Sequence, residues 1–303
     1  DGDGVEEVYV GNAAGADRLF KRSGRGFRDL FDGHADGLVN RLPCAAVLPL
    51  DRSGNGRYGF LVGTRGGPLR LFEEVEPGRL DDLAASALLD ELTEGGPIGA
   101  APLVSPGADV VVAGRMGSLL CFQPQGSGRY GEIARPIGLG QGGHGRGSWA
   151  TSDLAILDVN GDGLFDLLLA GPEHGHRLFV QGELGAFGPA TPAPLAWASR
   201  AAALVVADFD NDGHEEIFVA ARGEPNRLLT RRDGSWRPAD PGDAMEPTSS
   251  PSAAGALDVD DDGRLELLLT HPEGRGLTCY RPAPTDHAWL RVRPRTAAGA
   301  PAR

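Results

Sequence analysis

A short acidic pattern recurs three times in this chain at a constant spacing. It runs Asp, any residue, Asp or Asn, any residue, Asp, Gly, two further residues, and Asp or Glu. The copies begin at Asp158, Asp208 and Asp258, so each starts 50 residues after the one before. A single copy could be a solvated acidic turn, but three copies in register indicate a repeated structural unit.

The spacing of the oxygen-bearing side chains predicts a calcium loop. Donors stand at loop positions one, three, five and nine, and a glycine stands at position six, where a sharp turn is easiest without a Cβ atom. Calcium takes about six to eight oxygen ligands, backbone carbonyls included, and we expect the carbonyl at position seven to contribute. The predicted ligands are Asp158, Asn160, Asp162, Leu164 and Asp166; Asp208, Asp210, Asp212, His214 and Glu216; and Asp258, Asp260, Asp262, Arg264 and Glu266.

Two other loops match the pattern only in part. Asp1, Asp3 and Glu7 fit positions three, five and nine of a loop whose first position would lie upstream, so we expect the chain to be a fragment. The loop that begins at Asp51 has Gly59 in place of the closing carboxylate, which leaves calcium binding there open. The third unit of the chain shows no acidic loop.

Short apolar runs bounded by glycine and proline surround the loops, which is typical of strands. An EF-hand would need a helix on each side of the loop and a ligand at position twelve, so a hairpin loop fits better. Four such runs per unit of about fifty residues predict an all-β fold, a β-propeller of four-stranded antiparallel blades. A solenoid is the alternative, although its repeats are usually shorter or helical. The six predicted blades are residues 1–38, 39–95, 96–148, 149–198, 199–250 and 251–285.

One stretch departs from the strand pattern. Leu80 to Leu92 is rich in Asp, Leu and Ala, and we expect one or two helical turns between strands. The three cysteines suit neither a disulfide framework nor a zinc site, so we interpret them as small buried hydrophobic residues. His174 and His176 lie two apart in a turn, and we expect both to be exposed rather than to bind a transition metal.

Charge and hydropathy exclude several classes of partner. The formal net charge of −13 argues against nucleic acid and against an anionic membrane surface. No apolar run reaches the length of about 18 residues that a membrane-spanning helix requires. We therefore expect neither nucleic-acid binding nor membrane insertion.

The repeated loop resembles the FG-GAP repeats of integrin α-subunit propellers and, more closely, the cartilage acidic protein family. The resemblance covers essentially the whole chain. It implies calcium in the hairpin loops, seven blades in the intact protein, secretion, and a C-terminal ASPIC/UnbV module that would begin in residues 286–303. It rests on the loop pattern and on residues 51–58, 144–147, 207–211, 241–247 and 289–296.

The leading hypothesis is a secreted, non-enzymatic scaffold for extracellular or cell-surface proteins, with Ca²⁺ in a structural role. The alternative is a propeller-based hydrolase or lyase with its active site in the central channel, where His144 would be a candidate residue. No combination of general acid, base and nucleophile is evident in the sequence, and a fold alone does not specify an activity.

Overall fold

The computed structural model describes residues 7–31, 40–53, 57–76, 79–90, 92–94, 96–113, 119–140, 151–171, 175–190, 195, 200–272 and 276–290. These residues contain 23 strands, against one α-helix of a single turn, α1 (Ala84–Ala87). Short 3-10 turns lie at Glu183–Gly185 and Gly242–Met245. The chain divides into two compact units, the first made of 1–146, 184–186 and 293–303, the second of 147–183 and 187–292.

The first unit contains three antiparallel sheets, each built from consecutive strands. The first sheet is β1 (Glu7–Val10), β2 (Arg18–Ser23) and β3 (Gly26–Asp29). The second is β4 (Cys44–Leu50), β5 (Gly59–Pro68), β6 (Arg70–Glu76) and β7 (Arg79–Asp82), with β8 (Leu92–Glu94) pairing to the far end of β5. The third is β9 (Ile98–Ala101), β10 (Asp109–Ala113), β11 (Leu119–Pro124) and β12 (Tyr130–Glu132).

The second unit repeats the arrangement and contains the three acidic loops. Its first sheet is β13 (Asp153–Leu157), β14 (Asp166–Ala170), β15 (Arg177–Gln181) and β16 (Phe187–Ala190). The next is β17 (Ala201–Ala207), β18 (Glu216–Ala221), β19 (Arg227–Arg232) and β20 (Ser235–Ala239). The last is β21 (Ala253–Leu257), β22 (Glu266–His271) and β23 (Gly276–Tyr280).

Six consecutive antiparallel sheets of this kind are the blades of a β-propeller, so the predicted fold class is confirmed. Within the described residues the first and last sheets each contain three strands. The blade boundaries and the seventh blade stay predictions. The helices of the described part of the chain are all too short to cross a membrane.

Apolar side chains fill the space between neighbouring sheets in each unit. In the first unit, one cluster joins β4–β6 to β10–β12 and is closed by the turn of α1, which packs Ala84 and Ala87 against it. In the second unit, one cluster lies between the sheets β13–β16 and β17–β20, and another lies between β17–β20 and β21–β23. The sheet β17–β20 is therefore covered on both faces, as its almost entirely buried strand β18 shows.

Three expectations need correction or a finer statement. The stretch from Leu80 to Leu92 contains one helical turn, but strand β7 ends inside it and β8 begins at its last residue. All three cysteines are free thiols, and Cys279 is exposed because its face of the last sheet is open, as Leu277 at 63% exposure also shows. His176 is buried, and burial lowers its pKa to about 4. His174 lies outside the described residues.

Candidate metal centre

The three acidic loops share one backbone conformation, which the first aspartate organises. In each loop the Oδ1 atom of this residue accepts a hydrogen bond from the backbone N–H at position five, at 3.0–3.1 Å. The Oδ2 atom accepts one from the glycine N–H at position six, at 2.8–3.0 Å. A single carboxylate thus curls the chain around itself, a role that the short Asp side chain performs well in turns.

Two positions of each loop lie in the left-handed region of backbone conformation. At position six the φ angles of Gly163, Gly213 and Gly263 are 83°, 88° and 85°. Position four is also left-handed and is occupied by Gly161, Asn211 and Asp261, residue types that tolerate this conformation. The glycine that the sequence pattern singled out is therefore required by the turn.

The closing carboxylate of each loop is buried at the first residue of the following strand. Asp166, Glu216 and Glu266 are 0%, 3% and 1% exposed. Each accepts a hydrogen bond from the backbone N–H at loop position two, at 2.9, 2.9 and 2.8 Å respectively. Because the acceptor belongs to the sheet and the donor to the loop, this bond fixes the loop to its blade.

The structure brings some of the predicted ligands together and leaves others apart. Carboxylate oxygens of Asp208, Asp210 and Glu216 lie within 4.8 Å of one another, as do those of Asp258, Asp260 and Asp262. Among the described residues, the carboxylates of the Asp158 loop do not form such a trio. There, the side-chain amide of Asn160 donates to Asp162 at 2.9 Å.

At position seven, the residues predicted to offer a carbonyl lie inside the turn. The backbone N–H of each donates to the position-five carboxylate, at 2.8 Å in the first two loops and 2.9 Å in the third. This holds for Leu164, His214 and Arg264. Ligation by their carbonyls stays a prediction.

Electrostatic repulsion is concentrated in the Asp208 loop. Burial, together with the nearby carboxylates of Asp210, Asp212 and Asp208, raises the pKa of Glu216 to about 7. Burial also raises the pKa of Asp166, with smaller contributions from neighbouring acids. A bound cation would favour the ionised form of such groups, as an opposite charge does.

Each loop has different neighbours in space. The Asp158 loop is held by the neighbouring blade, where the indole N–H of Trp236 donates to the carbonyl of Val159 at 2.8 Å and Arg231 donates to the carbonyl of Asn160. The Asp258 loop is paired with arginines instead. Arg264 binds Asp262, and Arg281 lies 2.8 Å from Asp260.

The two incomplete loops are only partly described. Asp1 and Asp3 lie outside the described residues, while Glu7 begins β1 with its carboxylate 3.4 Å from the ammonium of Lys21. In the loop after Asp51, Gly59 begins β5 where the other loops have their buried acid.

Close packing explains the glycine at this position. An added Cβ at Gly59 would lie 2.6 Å from Glu73 Cγ and 2.8 Å from the carbonyl oxygen of Phe72. Glu73 forms a bidentate pair with Arg52, at 2.8 Å for each contact. This salt bridge joins position two of the loop to β6 in a loop that has no closing carboxylate.

One functional position was missed in the sequence. Asp109 begins β10 and pairs with the last residue of β9, the same register that places Asp166, Glu216 and Glu266 in their sheets. It is buried and accepts hydrogen bonds from the N–H groups of Val104 and Ser105 at 2.7 and 3.2 Å. The third unit therefore lacks the other predicted ligands but has an acid at the position that fixes the loop to the sheet. The signal was present, since an Asp directly precedes the apolar run of that unit.

The donor set of the Asp208 loop fits a hard divalent cation. Three carboxylates converge there, one of them buried, and oxygen donors of this kind are what calcium prefers. When bound, the ion would supply positive charge that offsets the repulsion between these groups. His144, the candidate for an enzymatic site, lies outside the described residues.

Comparisons with known proteins agree with the loop geometry. The chain matches the family described as FG-GAP-like repeat over residues 158–219 and 209–269, which span the three loops. It is also similar to a solved structure of the BP39L lectin from Burkholderia pseudomallei, with a TM-score of 0.62 at 16% identity over 96% of this chain and 81% of that one. At this identity the likeness shows the fold alone.

Two curated proteins are also similar to this chain in sequence. Human integrin alpha-IIb is 29% identical over 174 residues, 48% of this chain and 17% of that protein. Cartilage acidic protein 1 of Xenopus tropicalis is 33% identical over 344 aligned residues, covering all of this chain and 52% of the relative, so the chain spans about half its length. Over its whole length the chain is therefore similar to about half of cartilage acidic protein 1, and its residues 158–269 match FG-GAP-like repeats.

Proposed function

We propose that this chain is part of a secreted β-propeller that serves as a scaffold for extracellular or cell-surface proteins, with calcium as a structural ion in its hairpin loops. The observation that carries the proposal is the convergence of Asp208, Asp210 and Glu216 in a loop whose backbone follows the same turn in three blades. The related proteins are named for cartilage and as an integrin subunit, and neither name is that of an enzyme.

The expected role of the ion follows from how the loops are held. Each loop depends on one aspartate for its turn and on one buried acid for its attachment to the sheet. Without a cation, the acids that shape the loop also repel one another. Calcium would remove that repulsion and stiffen one hairpin in each blade.

The magnitude suits an extracellular setting. At about 1 mM free calcium and a dissociation constant of about 10⁻⁴ M, each site stabilises the fold by about 1.4 kcal/mol. Three sites give roughly 4 kcal/mol, a large part of the roughly 5–15 kcal/mol by which domains are stable. At cytosolic calcium concentrations, sites of this affinity would be empty.

The test is thermal unfolding as a function of calcium, with chelator and magnesium as controls. The wild-type chain would be compared with Asp158→Ala, Asp208→Ala and Asp258→Ala. Asp243→Ala is the matched control, because it removes one exposed carboxylate of the same unit that lies outside the loops. We expect the melting temperature to rise by about 3 °C per site between about 0.1 and 1 mM calcium, and by less in each loop variant. A melting temperature that does not respond to calcium would overturn the proposal.

A further inference from the structure

The chain that leaves the last strand lies across two of the acidic loops. We name residues 281–290 the strap. It contains no strand or helix, and it contacts the Asp208 loop through one backbone atom. The hydroxyl of Thr285 donates to the carbonyl of Asp210 at 2.9 Å, and Nδ1 of His287 lies 2.8 Å from the same oxygen. Since a carbonyl can only accept, the hydrogen of His287 must be on Nδ1.

The strap also contacts the Asp258 loop. The indole of Trp289 packs against the backbone of Gly263 so closely that an added Cβ would lie 1.8 Å from ring atom Cδ2. At the other end of the strap, Arg281 forms its 2.8 Å pair with Asp260, a predicted ligand, so this arginine and a cation would compete for the carboxylate and the packing of Trp289 is the contact that calcium would support. Glycine at position six therefore serves two purposes here, the left-handed turn and the seat for an aromatic ring.

The two loops are linked directly as well. The side-chain amide of Asn211 donates to the carbonyl of Gly263 at 3.3 Å, which joins position four of one loop to position six of the next. The strap contacts named above fall on these two loops. The Asp158 loop is held by Arg231 and Trp236 instead, so it provides an internal control.

We propose that calcium in the Asp208 and Asp258 loops fixes the strap to the propeller, so that these loops control how the chain beyond the last blade is held. The inference rests on the proposed calcium sites. Asp210 links the two events, since its carboxylate is a predicted ligand and its carbonyl is the acceptor for Thr285 and His287. An ion that orders the loop orders that carbonyl, and by linkage the strap must strengthen calcium binding by the same factor.

Hydrogen–deuterium exchange of peptides that cover the strap tests the first half of the inference. With calcium, we expect exchange in the strap to slow by about tenfold in the wild-type chain. The same slowing is expected in Asp158→Ala, whose altered loop is held by Arg231 and Trp236. It should be clearly smaller in Asp208→Ala, in which only the Asp258 loop can still bind calcium and hold the strap.

Calorimetric calcium titrations test the reciprocal half. Thr285→Val together with His287→Ala removes both donors to Asp210, and we expect calcium affinity at the Asp208 loop to fall about tenfold. Thr285→Ser alone keeps a hydroxyl and should leave the calcium affinity of the Asp208 loop unchanged. Trp289→Ala should lower the calcium affinity of the Asp258 loop. Leu290→Ala, which truncates a side chain that is 85% exposed, should leave that affinity unchanged.

The outcomes separate this inference from the proposed function. Calcium binding with unchanged exchange in the strap would overturn the inference and leave the calcium sites standing. Absence of calcium binding would overturn both. If calcium slowed exchange in the strap of Asp208→Ala as much as in the wild type, that result would also contradict the inference, because the strap would then be responding to another site.

Discussion

The Asp208 and Asp258 loops have the same four acidic positions and the same backbone turn, yet their surroundings differ. In the Asp258 loop, two of the predicted ligands already pair with arginines, Asp262 with Arg264 and Asp260 with Arg281. In the Asp208 loop, burial, together with the neighbouring carboxylates, raises the pKa of Glu216 to about 7. Equal ligand patterns therefore do not imply equal calcium sites.

The sheets that carry the two loops also differ in how fully they are buried, and the Asp208 loop belongs to the more buried sheet. The sheet β17–β20 packs on both faces, whereas the sheet β21–β23 leaves Leu257 and Leu277 exposed at 55% and 63%. A cation in the Asp208 loop would act in a better shielded setting, where electrostatic interactions are stronger. In the Asp258 loop it must compete with solvated arginines. We expect the Asp208 loop to be the tighter site.

The largest expected difference between the loops concerns their glycines. Gly213→Ala should cost about 1–2 kcal/mol through left-handed strain alone, since no atom lies within 4 Å of the added Cβ. Gly263→Ala adds a collision with Trp289 and should cost at least about 1 kcal/mol more. Chemical denaturation in chelator measures both. Equal losses would mean that the ring of Trp289 does not rest on Gly263.

The closing acid provides the next test. Glu216→Gln keeps the shape and an acceptor for Phe209 but removes the charge. In calcium we expect a melting temperature about 3 °C below the wild type; in chelator it should equal or exceed the wild type, because repulsion is relieved. Glu266→Gln is the matched variant and should change less, since arginines already offset charge in that loop. A larger change in melting temperature for Glu266→Gln than for Glu216→Gln would indicate that the Asp258 loop, and not the Asp208 loop, is the stronger calcium site.

The raised pKa of Glu216 also predicts a pH dependence in the absence of calcium. The folded pKa of about 7 lies above the ordinary value of 4.5, so the folded chain holds this proton more tightly than the unfolded chain does. Its contribution to stability is therefore present at low pH and is lost as the pH rises through about 7. The melting temperature of the wild type minus that of Glu216→Gln should fall between about pH 5 and pH 8. A difference in melting temperature that does not change with pH would contradict the raised pKa of Glu216.

The smallest effect is expected from the arginines. Arg264→Ala and Arg281→Ala should each tighten calcium binding at the Asp258 loop by about two- to fivefold, because ion pairs that are open to solvent compete only weakly with a bound cation. The gain should shrink at high salt. Arg237→Ala, an exposed arginine on β20, controls for net charge. Weaker binding in either variant would show that the arginines support the site.

The fold and the loops could be predicted because their signals are local and periodic. The left-handed glycine, the donor spacing and the strand runs all lie within a few residues of one another, and the repeat multiplies the signal. Asp109 was missed for a different reason. Its loop lacks the other acids, and the role of the closing acid as an attachment to the sheet is visible only in the register of the strands.

Contacts between residues far apart in the chain could not be predicted from the sequence. The bonds from Thr285 and His287 to Asp210 join residues more than seventy positions apart. The exposure of Cys279 depends on which face of its sheet is covered, and the burial of His176 likewise depends on packing from elsewhere. Alternating hydropathy indicates that a face is apolar, but it does not say what packs against that face.

The most direct measurement is a calorimetric calcium titration of the wild-type chain and of Asp208→Ala. We expect binding with dissociation constants of about 10⁻⁴ M, and loss of the tightest phase in the variant. The heat of the remaining phases should persist, because the Asp158 and Asp258 loops are unchanged. No binding at several-fold higher calcium, or the same isotherm in both proteins, would contradict the claim that the Asp208 loop is a calcium site.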